Sequence, residues 1–118
     1  MPKVLIVDDS AFLRSRLCKL LGEHGYQTVQ AEDGVQAVNM YRTERPDVVL
    51  MDITMPHMNG MDALMRIRMQ DSRACVIMLT ALDQKLVAAR AVHMGAKDFL
   101  VKPVMPSKLL LSIQKALR

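Results

Sequence analysis

Asp47-Val-Val-Leu-Met-Asp-Ile-Thr-Met-Pro-His-Met-Asn-Gly60 is the stretch whose reading decides the fold. Val48, Val49, Leu50 and Met51 follow Pro46 without polar alternation, the pattern of a short strand buried on both faces of a parallel sheet. Asp52 ends the run and a loop marked by Pro56 and Gly60 follows, so its carboxylate stands where the strand meets water. Ligands of open parallel sheets bind at this carboxyl edge. Asp is also a common turn residue, so the position by itself leaves both a functional and a capping role open.

The same unit repeats on either side. Upstream, Lys3 to Val7 is an apolar run ending on Asp8-Asp9, and Ser10 can cap a helix with apolar residues at Leu13, Leu17, Leu20 and Leu21 that Gly25 stops. Gln27 to Ala31 reads as a strand, and Glu32-Asp33-Gly34 turns into a helix with Val35, Val38 and Tyr41 inward, closed before Pro46. Downstream, Met61, Leu64, Met65 and Ile67 mark a third helix. Its Met61, Met65 and Met69 form an i, i+4 stripe that reads as packing rather than as a ligand or redox device. Ala74 to Leu79 is a strand ending on Thr80, and Asp83 to Met94 is a helix closed by Gly95. Asp98 to Val101 is a strand broken by Lys102-Pro103, and Ser107 to Leu117 is a last amphipathic helix through Leu109, Leu110, Ile113 and Leu117. Strict alternation implies parallel pairing with right-handed crossovers, hence an α/β domain with a doubly wound five-stranded parallel sheet and helices on both faces.

Length and composition agree with one domain spanning residues 1–118. The 118 residues are 51% hydrophobic and 24% charged, enough for a single core. The apolar runs are of strand length, far short of the roughly 20 residues of a spanning helix, and the N-terminal run leads into acidic residues rather than a signal-peptide cleavage site. A cytoplasmic protein without membrane association is expected. Cys18 and Cys75 have neither metal-ligand spacing nor a disulfide framework and read as reduced, buried thiols. Sixteen Lys and Arg against twelve Asp and Glu give +4, yet the basic residues are dispersed without a run or interleaved aromatics. Direct nucleic-acid binding is therefore not expected.

Because parallel strands share their carboxyl ends, Asp8, Asp9, Asp52, Thr80 and Lys102 should converge on one edge. Adjacent carboxylates repel: two unit charges about 4 Å apart cost roughly 4 kcal/mol at an effective dielectric near 20. A hard divalent cation with oxygen ligands offsets this, and Mg²⁺, which keeps several waters, suits so few protein oxygens. His24, His57 and His93 fall on unrelated elements, which argues against zinc. The ammonium of Lys102 suits a phosphate oxygen. A nucleophilic carboxylate, a metal, a Lys and a hydroxyl together fit phosphoryl transfer. Neither a Gly-x-x-x-x-Gly-Lys loop nor a Gly-x-Gly-x-x-Gly turn is present to hold a nucleotide.

Asp8-Asp9, Met51-Asp52, Met55-Pro56 with Asn59-Gly60, Thr80-Ala81, Gly95-Ala96 and Lys102-Pro103 together resemble the receiver domain of two-component response regulators, in order and over essentially the whole chain. Asp52-Ile-Thr-Met-Pro and Ala96-Lys97-Asp98-Phe99 are most similar to the single-domain chemotaxis members. The resemblance implies that Asp52 is the phosphoacceptor, modified by a sensor histidine kinase. It further implies that Asp9 and Asp52 bind Mg²⁺ with the backbone carbonyl of Thr54, Asp8 acting through water. Lys102, the Thr80 hydroxyl and the Ala81 amide would contact phosphoryl oxygens, and the Lys102-Pro103 bond would be cis. Phosphorylation would draw Thr80 inward, let Phe99 fill the vacated space, and reshape a face of fourth helix, fifth strand and fifth helix. That face would bind a downstream protein, the flagellar motor switch being one such target.

Phe99 stands where chemotaxis regulators usually carry Tyr, so switching would rest on ring burial. Thr54 and Leu82 occupy places that tune phosphoryl lifetime, and a bulky Leu82 implies slow self-dephosphorylation. A monomer with no turnover on an external substrate is expected. The alternatives are a Mg²⁺-dependent aspartyl-phosphate phosphatase, whose second acidic residue would stand where Thr54 does, and the receiver of a longer DNA-binding transcriptional regulator.

Overall fold

Five apolar runs become five parallel strands in a computed structural model that describes residues 1–118. The strands are β1 (Lys3–Val7), β2 (Gln27–Ala31), β3 (Val48–Asp52), β4 (Val76–Thr80) and β5 (Asp98–Val101). The helices are α1 (Ala11–Glu23), α2 (Gly34–Glu44), α3 (Gly60–Gln70), α4 (Lys85–His93) and α5 (Pro106–Ala116). Spatial order is β2-β1-β3-β4-β5. All neighbours pair in parallel, so β3 lies central and every crossover needs its helix.

The sheet separates two apolar layers. On one face Leu5, Val7, Val49, Met51, Val76 and Met78 meet Ala37 and Tyr41 of α2, Ala63, Leu64 and Ile67 of α3, and Ala88 and Ala91 of α4. On the other, Val4, Ile6, Leu50, Ile77 and Leu79 meet Leu21 of α1 with Leu109 and Ile113 of α5. Residues of β3 and β4 are buried without exception, which is why those strands read as continuous apolar runs.

Helix starts follow their caps. Ser10, Asp33 and Asn59 side chains accept the backbone N–H of Leu13, Gln36 and Asp62 at the starts of α1, α2 and α3. Gly25 and Gly95 take positive φ of 86° and 110° just beyond α1 and α4.

Several expectations are corrected. Val35 is exposed rather than inward, because the cap at Asp33 turns Gly34, Ala37 and Tyr41 to the core. Of the methionine stripe only Met61 packs against the core; Met65 and Met69 are 49% and 83% exposed, because Ala63, Leu64 and Ile67 already fill the inward face of α3. β4 begins at Val76, two residues late, since Ala74 N–H closes a turn on the Asp71 carbonyl. The fourth helix is split into a 3₁₀ turn, Leu82–Gln84, and α4. Pro106, at the first turn of α5 where no N–H is needed, starts that helix one residue early. Leu13 and Leu117 lie at the rim of their layer rather than inside it, and Cys18 and Cys75 are only half-buried, packed against the edge of the α1–α5 layer.

Candidate functional site

Strand register brings the polar residues to one rim. Met51 aligns with both Val7 and Met78, Asp52 with Leu79, and Thr80 with Val101. Asp8, Asp52, Thr80 and Lys102 therefore stand at or one step past the ends of four adjacent strands. Carboxylate oxygens of Asp8, Asp9 and Asp52 lie within 4.8 Å of one another. Asp8 and Asp52 are buried and Asp9 is exposed.

Both oxygens of Asp8 already accept hydrogen bonds, one from the Ser10 N–H at 2.8 Å and one from Lys102 Nζ at 3.0 Å. Lys102 Nζ also lies 3.2 Å from Asp52 Oδ1. One half-buried ammonium thus spans two buried carboxylates. Burial pushes the Asp52 carboxyl above its ordinary pKa; Lys102 opposes that rise and the charge of Asp8 adds to it. Burial would lower the Lys102 ammonium, but the hydrogen bond to Asp8 and the charges of Asp52 and Asp8 outweigh it and hold the pKa above normal.

The Thr80 side chain is fully buried and its hydroxyl donates to the Ala81 carbonyl at 3.0 Å. Ala81 is exposed beside it, Phe99 is half-buried against the α2-α3-α4 layer, and the Lys102–Pro103 peptide is cis. Thr54 is exposed, and the Gln84 side-chain amide donates to its hydroxyl.

The 53–60 loop is fixed from both ends. Gly60 N–H donates to the Ile53 carbonyl at 2.7 Å, and a Cβ on Gly60 would lie 2.1 Å from the Asp52 carbonyl oxygen, so only glycine allows this approach. Gly34 N–H donates to the Met58 carbonyl at 3.0 Å, and His57, in the left-handed region at φ 68°, sets Nδ1 2.9 Å from Asp33 Oδ2. The backbone N–H of Gln36, and after it the His57 ring, hold the Asp33 carboxyl below its usual pKa.

Two neighbours of the site escaped sequence reading. Arg14 donates to the Asp8 carbonyl and, at 3.0 Å, to Gln30 Oε1. Its place four residues after the cap Ser10 was a usable signal. Gln84 had none, because nothing in its type or spacing announces that it reaches across to Thr54.

The response regulator receiver domain family matches residues 4–114. The chemotaxis protein CheY of Bacillus subtilis is 44% identical over 116 residues, spanning 98% of this chain and 97% of that protein. A receiver domain protein from Clostridium thermocellum superposes with a TM-score of 0.96 at 28% identity, covering 99% of this chain and 94% of that one. A chain of the CheX–CheY–BeF₃–Mg²⁺ complex from Borrelia burgdorferi is 36% identical with a TM-score of 0.93, covering 99% of this chain and 90% of its own. Sequence and fold agree over nearly the full length, and the chain belongs to the family of two-component response regulator receiver domains.

Proposed function

We propose that Asp52 accepts a phosphoryl group from a phosphohistidine of a sensor histidine kinase in the presence of Mg²⁺. In this reading the modification switches the face of α4, β5 and α5 to control a downstream protein in chemotaxis or motility. The observation that carries it is the Asp52 carboxylate, buried at the sheet rim, with the Lys102 ammonium 3.2 Å away and two further carboxylates beside it.

An Asp52 oxygen attacks phosphorus in line as the N–P bond breaks, and the electron pair returns to the kinase imidazole. The donor set fits the ion: three carboxylates share one corner, and they are hard oxygen ligands. Asp9, Asp52 and the Thr54 carbonyl would hold Mg²⁺, with Asp8 reaching it through water. When bound, the ion supplies positive charge against the oxygens of the moving group. Lys102, the Thr80 hydroxyl and the Ala81 amide receive phosphoryl oxygens. Phe99 then follows Thr80 inward, and the flagellar motor switch or a CheX-like protein is the kind of partner that reads the result.

This self-catalysed transfer needs no external substrate turnover, and Leu82 beside the site slows hydrolysis. A single-domain monomer acting in the cytoplasm completes the reading; no helix is long and apolar enough to cross a membrane. Treatment with acetyl phosphate and Mg²⁺ should add the mass of one HPO₃ to Asp52, read by intact and peptide mass spectrometry. Stoichiometric labelling of Asp52→Asn would overturn the assignment.

A further inference from the structure

Between α2, α3 and the 53–60 loop lies an open groove of about 790 Å³ whose lining includes none of Asp8, Asp9, Asp52, Thr80 or Lys102. Its apolar floor is Val38 and Met58, both half-buried, and its wall is Met65 and Met69, one turn apart and 49% and 83% exposed. Nothing in this chain covers these two side chains. Large apolar side chains clustered at a surface mark an interaction site more often than scattered ones do, and unbranched methionines adapt to varied partner shapes.

Charge says what the partner looks like. Arg42 and Arg66 line the groove, and Arg42 with Gln70 continues it into a second hollow of about 510 Å³ that adds Arg45. Against these three exposed guanidinium groups the groove offers one carboxylate, Asp62, in the first turn of α3. Asp71, in the second hollow, is already held by the Tyr41 hydroxyl at 2.8 Å and the Arg73 N–H at 2.9 Å. A groove between two adjoining helices with an apolar floor and a cationic margin matches an amphipathic helix with acidic flanks.

We infer that the α2–α3 groove is a docking site for an acidic amphipathic helix of a partner protein, on a surface separate from the α4–β5–α5 face. The site is joined to the functional rim through the 53–60 loop, since Met58 lies in the groove and its carbonyl accepts from Gly34.

The test titrates the isotope-labelled 118-residue chain with a synthetic helix-forming peptide. The peptide carries Leu at i, i+4 and i+7 with Glu on both flanks; a twin has Lys for every Glu. Amide shifts should concentrate on residues 38–45, 57–58 and 62–70, and added salt should weaken binding. The Lys twin should bind about tenfold or more weakly, as should the Glu peptide with an Arg42→Glu/Arg66→Glu or a Met65→Ser/Met69→Ser double variant. Those positions are exposed, and circular dichroism melts of both variants verify that they fold. Absent saturable binding, equal affinity for the twins, or shifts centred on α4–β5–α5 would overturn the proposal. So would phosphatidylserine vesicles showing the arginine dependence that the peptide lacks.

Discussion

Lys102 carries two contacts whose loss should have different consequences. Its ammonium pairs with both Asp8 and Asp52, while the nucleophile in the proposed reaction is Asp52 alone. Lys102→Ala should therefore still accept phosphoryl from acetyl phosphate, more slowly, yet fail to transmit it. The expected readout is HPO₃ added by mass spectrometry with no change in the NMR shifts of α4 and α5. Asp52 itself strains the folded state. Its carboxyl pKa is raised, chiefly by burial, so the folded protein binds that proton more tightly than the unfolded chain, and this residue's contribution to stability falls as pH rises through the folded value. In Mg²⁺-free buffer Asp52→Asn should raise Tm at neutral pH, with the gain shrinking as the pH drops below the raised value. Thermal melts across pH decide it; a lower Tm for the variant at neutral pH would show that the Lys102 pairing outweighs the burial.

At the scale of elements, caps set where helices begin and which residues they bury. Asp33 is both the cap of α2 and the anchor of His57 in the 53–60 loop. Asp33→Ala should cost about 1 kcal/mol in urea unfolding at neutral pH. The native carboxyl pKa is depressed, so its stabilisation is fully present above the unfolded value and is lost as pH falls through the depressed one. The difference between variant and native protein should accordingly close in strong acid.

The same caps explain what could be read from sequence. β1, β2, β3 and β5 fall at the residues expected of them; in β1 and β3 near-continuous burial sets the boundary, whereas β2 and β5 are only partly buried and are bounded by the turn residues around them. Helical faces were less legible. Val35 and Met65 fit a 3.6-residue period as well as their neighbours do, but small residues such as Ala37 and Ala63 won the inward face, where helices must approach the sheet closely. Hydrophobicity alone does not carry that distinction. The candidate site was legible where a strand end delivers a residue, as with Asp8, Asp52, Thr80 and Lys102. It was silent where a helix or turn reaches back, as with Arg14 and Gln84.

For the whole molecule, stability and ion binding are linked through the acidic corner. The three carboxylates come together only when the sheet is formed, since Asp8 and Asp9 follow β1 while Asp52 ends β3. Mg²⁺ bound there should stabilise the fold by about 2.7 kcal/mol at a concentration 100 times its Kd. Tm should therefore climb with added Mg²⁺, and Asp9→Asn should blunt the rise while leaving the Mg²⁺-free Tm little changed. Equal Mg²⁺ responses in the two proteins would remove Asp9 from the ligand set.

The Thr80 hydroxyl has one hydrogen to give, and in this structure the Ala81 carbonyl receives it. A phosphoryl oxygen can have that hydrogen only by taking it away. The surrendered carbonyl sits immediately before the 3₁₀ turn that leads into α4 and keeps the Gln84 N–H at 3.0 Å, so the exchange at the rim ends as the loss of one of two hydrogen bonds at the root of a helix. The first step of the proposed switch would then be a change in which oxygen holds the Thr80 hydrogen.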